Sequence, residues 1–291
     1  MGKFAYFEPE DLSQALDLLQ QHGDEARVIA GGQSLLILIR QGFVRPAVLI
    51  SPHRIRALRE IKIAGGEVVL GAMVTQREIS SDSIISENFA ALAQAASKVG
   101  SLHVQNLGTV GGNLSHAEPN GDSAPALISL GASVTAASAR GQRRVSLENF
   151  FRGPFENALE PSEMLTHIHV PLPAAGAWSV YLKHVMRAVD RATVGIGVQL
   201  QVSSAGLFSN PRIGICGAGP QPFRAVEAEA LLQGQRISET LLAAVGSAIA
   251  AACDPFSDSH GPADYKRKMA AVFIKRALRQ AVSATRQERQ N

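Results

Sequence analysis

The sequence predicts an α+β fold made of more than one packed unit, and three observations lead to this prediction. Apolar and polar residues alternate on both sides of a glycine-containing turn at residues 60–72 and 133–147, as they do in β-hairpins. In the last third of the chain, three strand patterns precede three helical patterns. The 291 residues also exceed the length that one hydrophobic core usually spans.

The first 55 residues predict two helices and two strands. Pro9 and Asp11 open a helix whose apolar positions follow the spacing i, i+3, i+4, i+7, and Gly23 lies beyond its end. These positions are Leu12, Ala15, Leu16 and Leu19. Residues 27–30 and 47–52 predict short buried strands. The apolar stretch between them, residues 34–43, predicts a helix that turns into a core.

The middle and the end of the chain predict further elements in order. Gly65 and Gly66 fit the tight turn of the first hairpin, and a helix with one apolar face is expected from about Glu87 to Val99. Another helix follows at residues 123–131, and a strand at 163–173 ends at prolines. A linker at residues 172–178 precedes strands at 179–186, 194–202 and 211–219, and then three helices.

Composition restricts the class of protein. Hydrophobic residues make up 46% and charged residues 18%, which is ordinary for a globular domain. A net charge of +3 with only 5% aromatic residues disfavours a nucleic-acid-binding face. The sequence begins without an apolar signal core, and no apolar run approaches a membrane span, so a cytoplasmic location is expected. Two cysteines, Cys216 and Cys253, cannot supply the four thiolates of an iron–sulfur cluster.

Two glycine loops carry the functional signal. The first lies in "VIAGGQSLL" (residues 28–36) and the second in "NLGTVGGNLSHAEPNGD" (residues 106–122). Glycine allows a positive φ and a close backbone approach to a ligand, and exposed N–H groups in such loops attract phosphate. Neither loop matches the G-x-G-x-x-G or Walker patterns. Two loops that face each other could instead hold a pyrophosphate from both sides.

These residues resemble a known family. The two loops, together with "RIGICGAGPQPFRAVEAEALLQG" near the C-terminus, resemble the FAD-binding medium subunit of the molybdenum hydroxylases. This group contains carbon monoxide dehydrogenase and the flavin domain of xanthine dehydrogenase, and the resemblance runs almost end to end. It implies a two-lobed FAD-binding domain of the vanillyl-alcohol-oxidase (PCMH) type at residues 1–55 and 56–171. A smaller α+β domain with three antiparallel strands would follow at residues 178–291, and FAD would lie extended between the lobes.

The resemblance also implies which residues bind FAD. The first loop would contribute Val28, Ile29, Ala30, Gly31, Gly32, Gln33, Ser34 and Leu35. The second would contribute Gly108, Thr109, Gly111, Gly112 and Asn113. Asp122 would hydrogen-bond on the adenosine side, whereas Leu165 and Lys183 match positions near the flavin ring. Val99 is also assigned to cofactor binding, and no catalytic or metal-binding residue is expected in this chain.

Three positions depart from the family pattern. Ile37 replaces a frequent proline, Glu118 replaces a frequent aspartate, and Phe155 replaces a frequent tyrosine. Lys183 allows two interpretations, a cation that raises the flavin potential or an ordinary lysine at the end of a strand. His103, His116 and His184 are more simply explained as turn or surface residues than as bases.

The family resemblance implies a division of labour among subunits. A large subunit would hold a molybdenum–pterin cofactor, a small subunit two [2Fe–2S] clusters, and this chain FAD, in a dimer of heterotrimers. It would pass electrons from the clusters to an external acceptor. The organic substrate stays open among carbon monoxide, an aldehyde and an N-heterocycle. Two alternatives also stay open, a stand-alone flavin oxidase of the same fold and a basic binding module without enzymatic activity.

Overall fold

A computed structural model of the protein describes residues 4–288. The first part of the chain forms a small parallel sheet in the order β1-β3-β2, flanked by two helices. Its elements are β1 (Ala5–Phe7), α1 (Leu12–His22), β2 (Ala26–Val28), α2 (Leu35–Gln41) and β3 (Val48–Ile50). The predicted apolar face of α1 is buried at Ala15, Leu16 and Leu19. The sequence analysis missed β1, a three-residue strand whose side chains are all exposed.

The middle of the chain surrounds a five-stranded antiparallel sheet in the order β4-β5-β10-β6-β7. The sheet strands are β4 (Ile61–Ala64), β5 (Glu67–Gly71), β6 (Ser133–Ser138), β7 (Gly141–Ser146) and β10 (Met164–Pro171), while β8 (Phe151–Gly153) pairs with β9 (Glu156–Asn157). Six helices pack around this sheet: α3 (Gln76–Ser81), α4 (Ser83–Asn88), α5 (Ala90–Ser97), α6 (Leu102–Leu107), α7 (Val110–His116) and α8 (Ser123–Ser129).

Both predicted hairpins are confirmed. The β4–β5 turn has positive φ at Gly65 (60°) and Gly66 (79°), the geometry that favours glycine at both central positions. The β6–β7 hairpin turns at Ala139 and Arg140, and Gly141 is the first residue of β7. The Gly65–Gly66 turn matches the twist of the strands that it joins, and the alternating patterns on both sides of each turn were sufficient to locate the two hairpins.

Two predicted helices differ from the structure. The helix expected from Glu87 to Val99 is divided into α4 and α5, because Phe89 leaves helical geometry at φ −136° and buries its ring completely. The helix expected to turn into a core, α2, has no buried side chain, and Leu36 and Ile37 are exposed. Apolar composition without a clear period does not distinguish a core helix from a helix at a binding site.

The C-terminal part of the chain forms an antiparallel sheet covered by helices. The sheet contains four strands rather than the three predicted: β11 (Ala177–His184), β12 (Val194–Val202), β13 (Phe208–Cys216) and the two-residue β14 (Phe223–Arg224). Its helices are α9 (Val226–Leu232), α10 (Glu239–Ala252) and α11 (Ala263–Glu288). The extra strand was missed because only two of its residues pair with β13.

Helix α8 lies directly against this C-terminal sheet. A Cβ built on Gly197 or Gly214 would come within 2.5 Å and 2.2 Å of the Pro125 carbonyl oxygen. These glycines therefore let the backbone of a helix from the middle of the chain approach the backbone of β12 and β13. The close approach fixes the C-terminal sheet against the segment that follows the second glycine loop.

Gly214→Ala should lower the free energy of unfolding by about 2–3 kcal/mol, because its Cβ would force α8 away from β13. Chemical denaturation measures this loss. Gly206→Ala is the control, since its Cβ would lie in open space and only its φ of +75° is strained. That variant should lose about 1 kcal/mol. Equal losses in the two variants would contradict the close approach.

Candidate functional site

The two glycine loops touch each other. A Cβ on Gly31 would lie 1.9 Å from the carbonyl oxygen of Leu107 and 2.9 Å from Cα of Gly108. On the other side of this contact, a Cβ on Gly112 would lie 3.4 Å from Cβ of Ala30. Residues more than seventy positions apart therefore form one continuous backbone surface, and this surface exists only because Gly31 has no side chain.

The first loop presents unused hydrogen-bond donors. It leaves β2 at Val28, buries Ile29 and enters α2 at Leu35. Among residues 4–288, none of the six backbone N–H groups from Ala30 to Leu35 donates a hydrogen bond, and Ser34 provides no side-chain cap. The loop is half-exposed and Gly32 has φ +68°. Such a row of free N–H groups is a site for an anion.

In the second loop, by contrast, the backbone N–H groups already donate to acceptors within the protein. Thr109 caps α7 by accepting the Gly112 N–H at 3.1 Å, and the Val110 and Gly111 N–H groups donate to the carbonyls of Val74 and Ala72. Neither Gly111 nor Gly112 has a positive φ. The sequence analysis gave a positive φ as one of two reasons for glycine at these positions, and that prediction is wrong. Gly111 is required by proximity, because its Cβ would lie 2.5 Å from that of Ala72.

The donor set of the combined site fits a pyrophosphate. The first loop supplies free N–H groups, and the second places its backbone in contact with the first without obstructing it. Gln33 donates from Nε2 to the Gly31 carbonyl at 3.1 Å, which keeps the loop folded on itself. Because the two loops form one surface, an anion on the first loop would also lie beside the second.

A buried ion pair lies behind the second loop. Lys183 Nζ is 2.9 Å from Asp122 Oδ2, and the two side chains are only 4% and 5% exposed. The Tyr181 hydroxyl donates to Asp122 Oδ1 at 2.6 Å. Burial raises the pKa of Asp122, and Lys183 and the Tyr181 hydroxyl oppose that rise. The cluster joins the start of α8 to strand β11.

This pair bears on two predictions made from the sequence. Asp122 was placed on the adenosine side of FAD and Lys183 near the flavin ring, and the structure brings the two side chains into direct contact. The two residues therefore share one location, and their separate roles toward the adenosine and the flavin ring stay predictions. The alternative interpretation, an ordinary strand lysine whose ammonium group extends to solvent, does not fit, because the Lys183 side chain is buried and donates to the Lys98 carbonyl at 2.8 Å.

The remaining predicted site residues have different surroundings. Leu165 is buried in the core beneath the five-stranded sheet, beside a bulge in β10. Val99 is half-buried after α5, and its N–H donates to the Ala96 carbonyl. Asn113 is half-buried in the first turn of α7, and a Cβ on Gly121 would lie 3.7 Å from its side-chain oxygen. The roles of these residues toward a cofactor stay predictions.

Several residues at the site were missed from the sequence. Gln76 is fully buried, its N–H donates to the Gly108 carbonyl, and its Oε1 accepts from Ser123. Its Nε2 has no partner among residues 4–288. Tyr181 and Lys98 complete the cluster around Asp122. No local pattern distinguishes these residues, because their partners are distant in sequence.

Comparison with known families identifies the chain. Residues 2–173 match the family described as the FAD-binding domain in molybdopterin dehydrogenase, and residues 179–281 match the CO dehydrogenase flavoprotein C-terminal domain. The chain belongs to this family. It is a flavoprotein subunit of the molybdenum hydroxylase type, as the resemblance of the glycine loops implied. Within residues 4–288, no helix is long and apolar enough to span a membrane.

Individual relatives agree over nearly the whole chain. The carbon monoxide dehydrogenase medium chain of Hydrogenophaga pseudoflava is 34% identical over 96% of this chain and 97% of its own length. The 6-hydroxypseudooxynicotine dehydrogenase complex subunit alpha of Paenarthrobacter nicotinovorans is 30% identical, over 97% of this chain and 96% of its own length. A solved structure of the H. pseudoflava carbon monoxide dehydrogenase superimposes with a TM-score of 0.94 at 35% identity, over 97% of this chain and 98% of that one.

Gly31→Ala should abolish FAD retention, because the added methyl would push the Leu107 carbonyl and the second loop away. Gly112→Val should act similarly through Thr109 Oγ1, which its Cβ would approach to 2.9 Å. FAD bound per chain after desalting measures the effect. Gly42→Ala is the control, since Gly42 has φ +80° in the same lobe but no atom closer than 3.9 Å to its Cβ. Full FAD occupancy in Gly31→Ala would refute the assignment.

Proposed function

We propose that this chain is the FAD-carrying electron-transfer subunit of a heteromeric molybdenum hydroxylase. One observation supports this most directly: the unused N–H groups of residues 30–35 lie on a loop in backbone contact with the second glycine loop. This arrangement fits a pyrophosphate, which is the central part of FAD. We place the cofactor between the lobes at residues 1–55 and 56–171, with the C-terminal domain from residue 178 beside it.

The residue roles follow from this placement. The N–H groups from Ala30 to Leu35 hold the phosphate oxygens, while Thr109 and Gly112 fix the facing surface. Val28 ends the strand that carries the first loop, and Ile29 follows it. We further assign Val99, Asn113 and Leu165 to the cofactor's surroundings, as in the sequence interpretation. When bound, FAD supplies the redox chemistry, and the protein supplies binding, orientation and electrostatics.

Asp122 and Lys183 act together toward the cofactor in this proposal. Their charges lie 2.9 Å apart in a buried setting, so a neighbouring group experiences the pair rather than an isolated lysine. Removing either charge would leave the other unbalanced. The electrostatic potential near the pair therefore depends on both residues. We assign both to the same part of the FAD site.

The partner assignments follow from the family. The relatives include medium chains of multi-subunit dehydrogenases, among them those of carbon monoxide dehydrogenase and a glyceraldehyde dehydrogenase. We infer that this chain receives electrons from a small [2Fe–2S] subunit, which serves a large molybdenum–pterin subunit, in a dimer of heterotrimers in the cytoplasm. An external acceptor takes the electrons. Because relatives act on such different substrates, the partner subunits rather than this chain select the substrate.

The first test is the visible spectrum of the protein co-purified from its native source. A flavin spectrum is expected, and denaturation should release noncovalent FAD at about one equivalent per chain. Chromatography of the released nucleotide against FAD and FMN standards identifies it, and metal analysis of the complex detects molybdenum and iron. A colourless chain that takes up no added FAD would refute the proposed function.

Substitutions of the ion pair should shift the flavin reduction potential in opposite directions. Lys183→Met leaves the carboxylate and should lower the potential, whereas Asp122→Asn leaves the lysine and should raise it. Shifts of about 20–60 mV, equivalent to about 1–3 kcal/mol for a two-electron couple, are expected. Potentiometric titration measures them. Lys62→Met, at an exposed lysine paired with Glu60, is the control. Shifts of the same sign would contradict the placement of the pair.

A further inference from the structure

Residues 118–122, at the end of the second glycine-rich stretch, are bound to the C-terminal domain. Asn120 is buried and donates from Nδ2 to the Ala192 carbonyl at 2.6 Å. The Gly217 N–H donates to the Pro119 carbonyl at 2.8 Å, and Arg191 pairs with Glu118. We name residues 118–122 the junction segment. Its geometry depends on β12, β13 and the turns beside them.

Asp122 is the last residue of the junction segment, and its carboxylate is the most deeply buried charge of that segment. Tyr181 donates to one carboxylate oxygen and Lys183 to the other, and both come from β11. Tyr181 is fully buried and cannot reach bulk water. A hydrogen bond between a buried hydroxyl and a carboxylate is strong and directional. The two oxygens are therefore held in one orientation by groups of a different domain.

The backbone of Tyr181 is itself fixed by α5. Strand β11 lies at the edge of its sheet, and the side chains of Gln94 in α5 and of Lys98 just after it hydrogen-bond to the free edge. Gln94 Oε1 accepts the Tyr181 N–H at 2.9 Å, and Lys98 Nζ donates to the Tyr181 carbonyl at 3.2 Å. These two hydrogen bonds satisfy the free edge of β11 at Tyr181. The Tyr181 hydroxyl is thus aimed at Asp122 by contacts on both sides.

Free space around Tyr181 is also restricted. A Cβ built on Gly195 would lie 2.4 Å from the Tyr181 hydroxyl oxygen and 2.6 Å from Cys216 Sγ. Glycine at this position on β12 leaves room for the hydroxyl between the strand and the carboxylate. The ring therefore has one position, in which its hydroxyl donates to Asp122.

We propose that Tyr181 is a positioning residue through which the C-terminal domain fixes Asp122, and with it the junction segment, in the orientation that the FAD site requires. This inference rests on the proposed function. Tyr181 does not itself contact the cofactor in this scheme. It acts through Asp122 and through Gly121, which lies beside Asn113 in the first turn of α7.

The proposal predicts a characteristic pH dependence. The groups that face Asp122 are Lys183 and Tyr181 from β11, Lys98 just after α5 and Cys216 from β13. Burial raises the pKa of Asp122, and the Tyr181 hydroxyl is among the groups that hold it down. Without this hydroxyl the carboxylate takes a proton at a higher pH, and its pair with Lys183 is lost there. FAD affinity should then fall, on acidification, at a higher pH than in the wild type.

The experiment compares Tyr181→Phe with Tyr265→Phe in the full chain, by titrating the apoprotein with FAD between pH 5 and 8. Tyr265 is a matched control, because its hydroxyl lies 2.8 Å from His184 Nε2 in the same domain. Tyr181→Phe should weaken FAD binding about tenfold, the loss expected for a hydrogen bond to a charged group. In Tyr181→Phe, the fall in FAD affinity on acidification should occur at higher pH. The FAD affinity of Tyr265→Phe should stay within about twofold of the wild type.

The outcomes separate this inference from the proposed function. If the wild type binds FAD and Tyr181→Phe has the same FAD affinity and pH profile as Tyr265→Phe, the role of Tyr181 is refuted. The cofactor assignment then stands. If the wild type binds no FAD, both are refuted. Should Tyr181→Phe fail to fold, Lys98→Met replaces it, because the Lys98 cation also holds the Asp122 pKa down. An unshifted profile in that variant would refute the proposal.

Discussion

The contact between the two glycine loops is the constraint on which the site depends. Gly31 lies against the Leu107 carbonyl so closely that a single methyl group would separate the loops. This contact brings the end of a parallel strand from one lobe to the start of α7 in the other. The unused N–H groups of the first loop become a binding surface only because the second loop closes one side of it. The site thus depends first on the contact between two backbone segments and only then on its side chains.

The C-terminal domain contributes to this arrangement more directly than its position in the sequence indicates. Its edge strand β11 is covered by α5, and its central strands β12 and β13 receive α8 where Gly197 and Gly214 lack side chains. Such coverage removes the exposed edge that would otherwise invite pairing with another chain. The same contacts also hold the C-terminal domain against the helices on either side of the junction segment. Residues far from the glycine loops in the sequence therefore contact the segment beside them.

Electrostatics at this junction follow from burial. Lys183 and Asp122 are almost completely inaccessible to solvent, so each charge requires the other, and Tyr181 and Lys98 complete their surroundings. The buried thiol of Cys216, whose pKa burial raises, adds a neutral neighbour. This chain holds no cluster-forming set of cysteines, and its relatives belong to dehydrogenases of unrelated substrates. Both facts agree with a subunit that carries electrons rather than one that selects a substrate.

Local features of this protein could be predicted from its residues alone. The hairpin at Gly65–Gly66 and the apolar face of α1 follow from turn chemistry and periodicity, and the glycine loops carried enough pattern to indicate the family and FAD. Three features required the folded chain: the exposure of α2, the division of a helix at Phe89, and the need for glycine at position 111, which results from proximity rather than from φ. So did the contact between Asp122 and Lys183. Their separation of 61 residues explains this, because a contact between distant segments depends on how whole domains pack, which no local periodicity encodes.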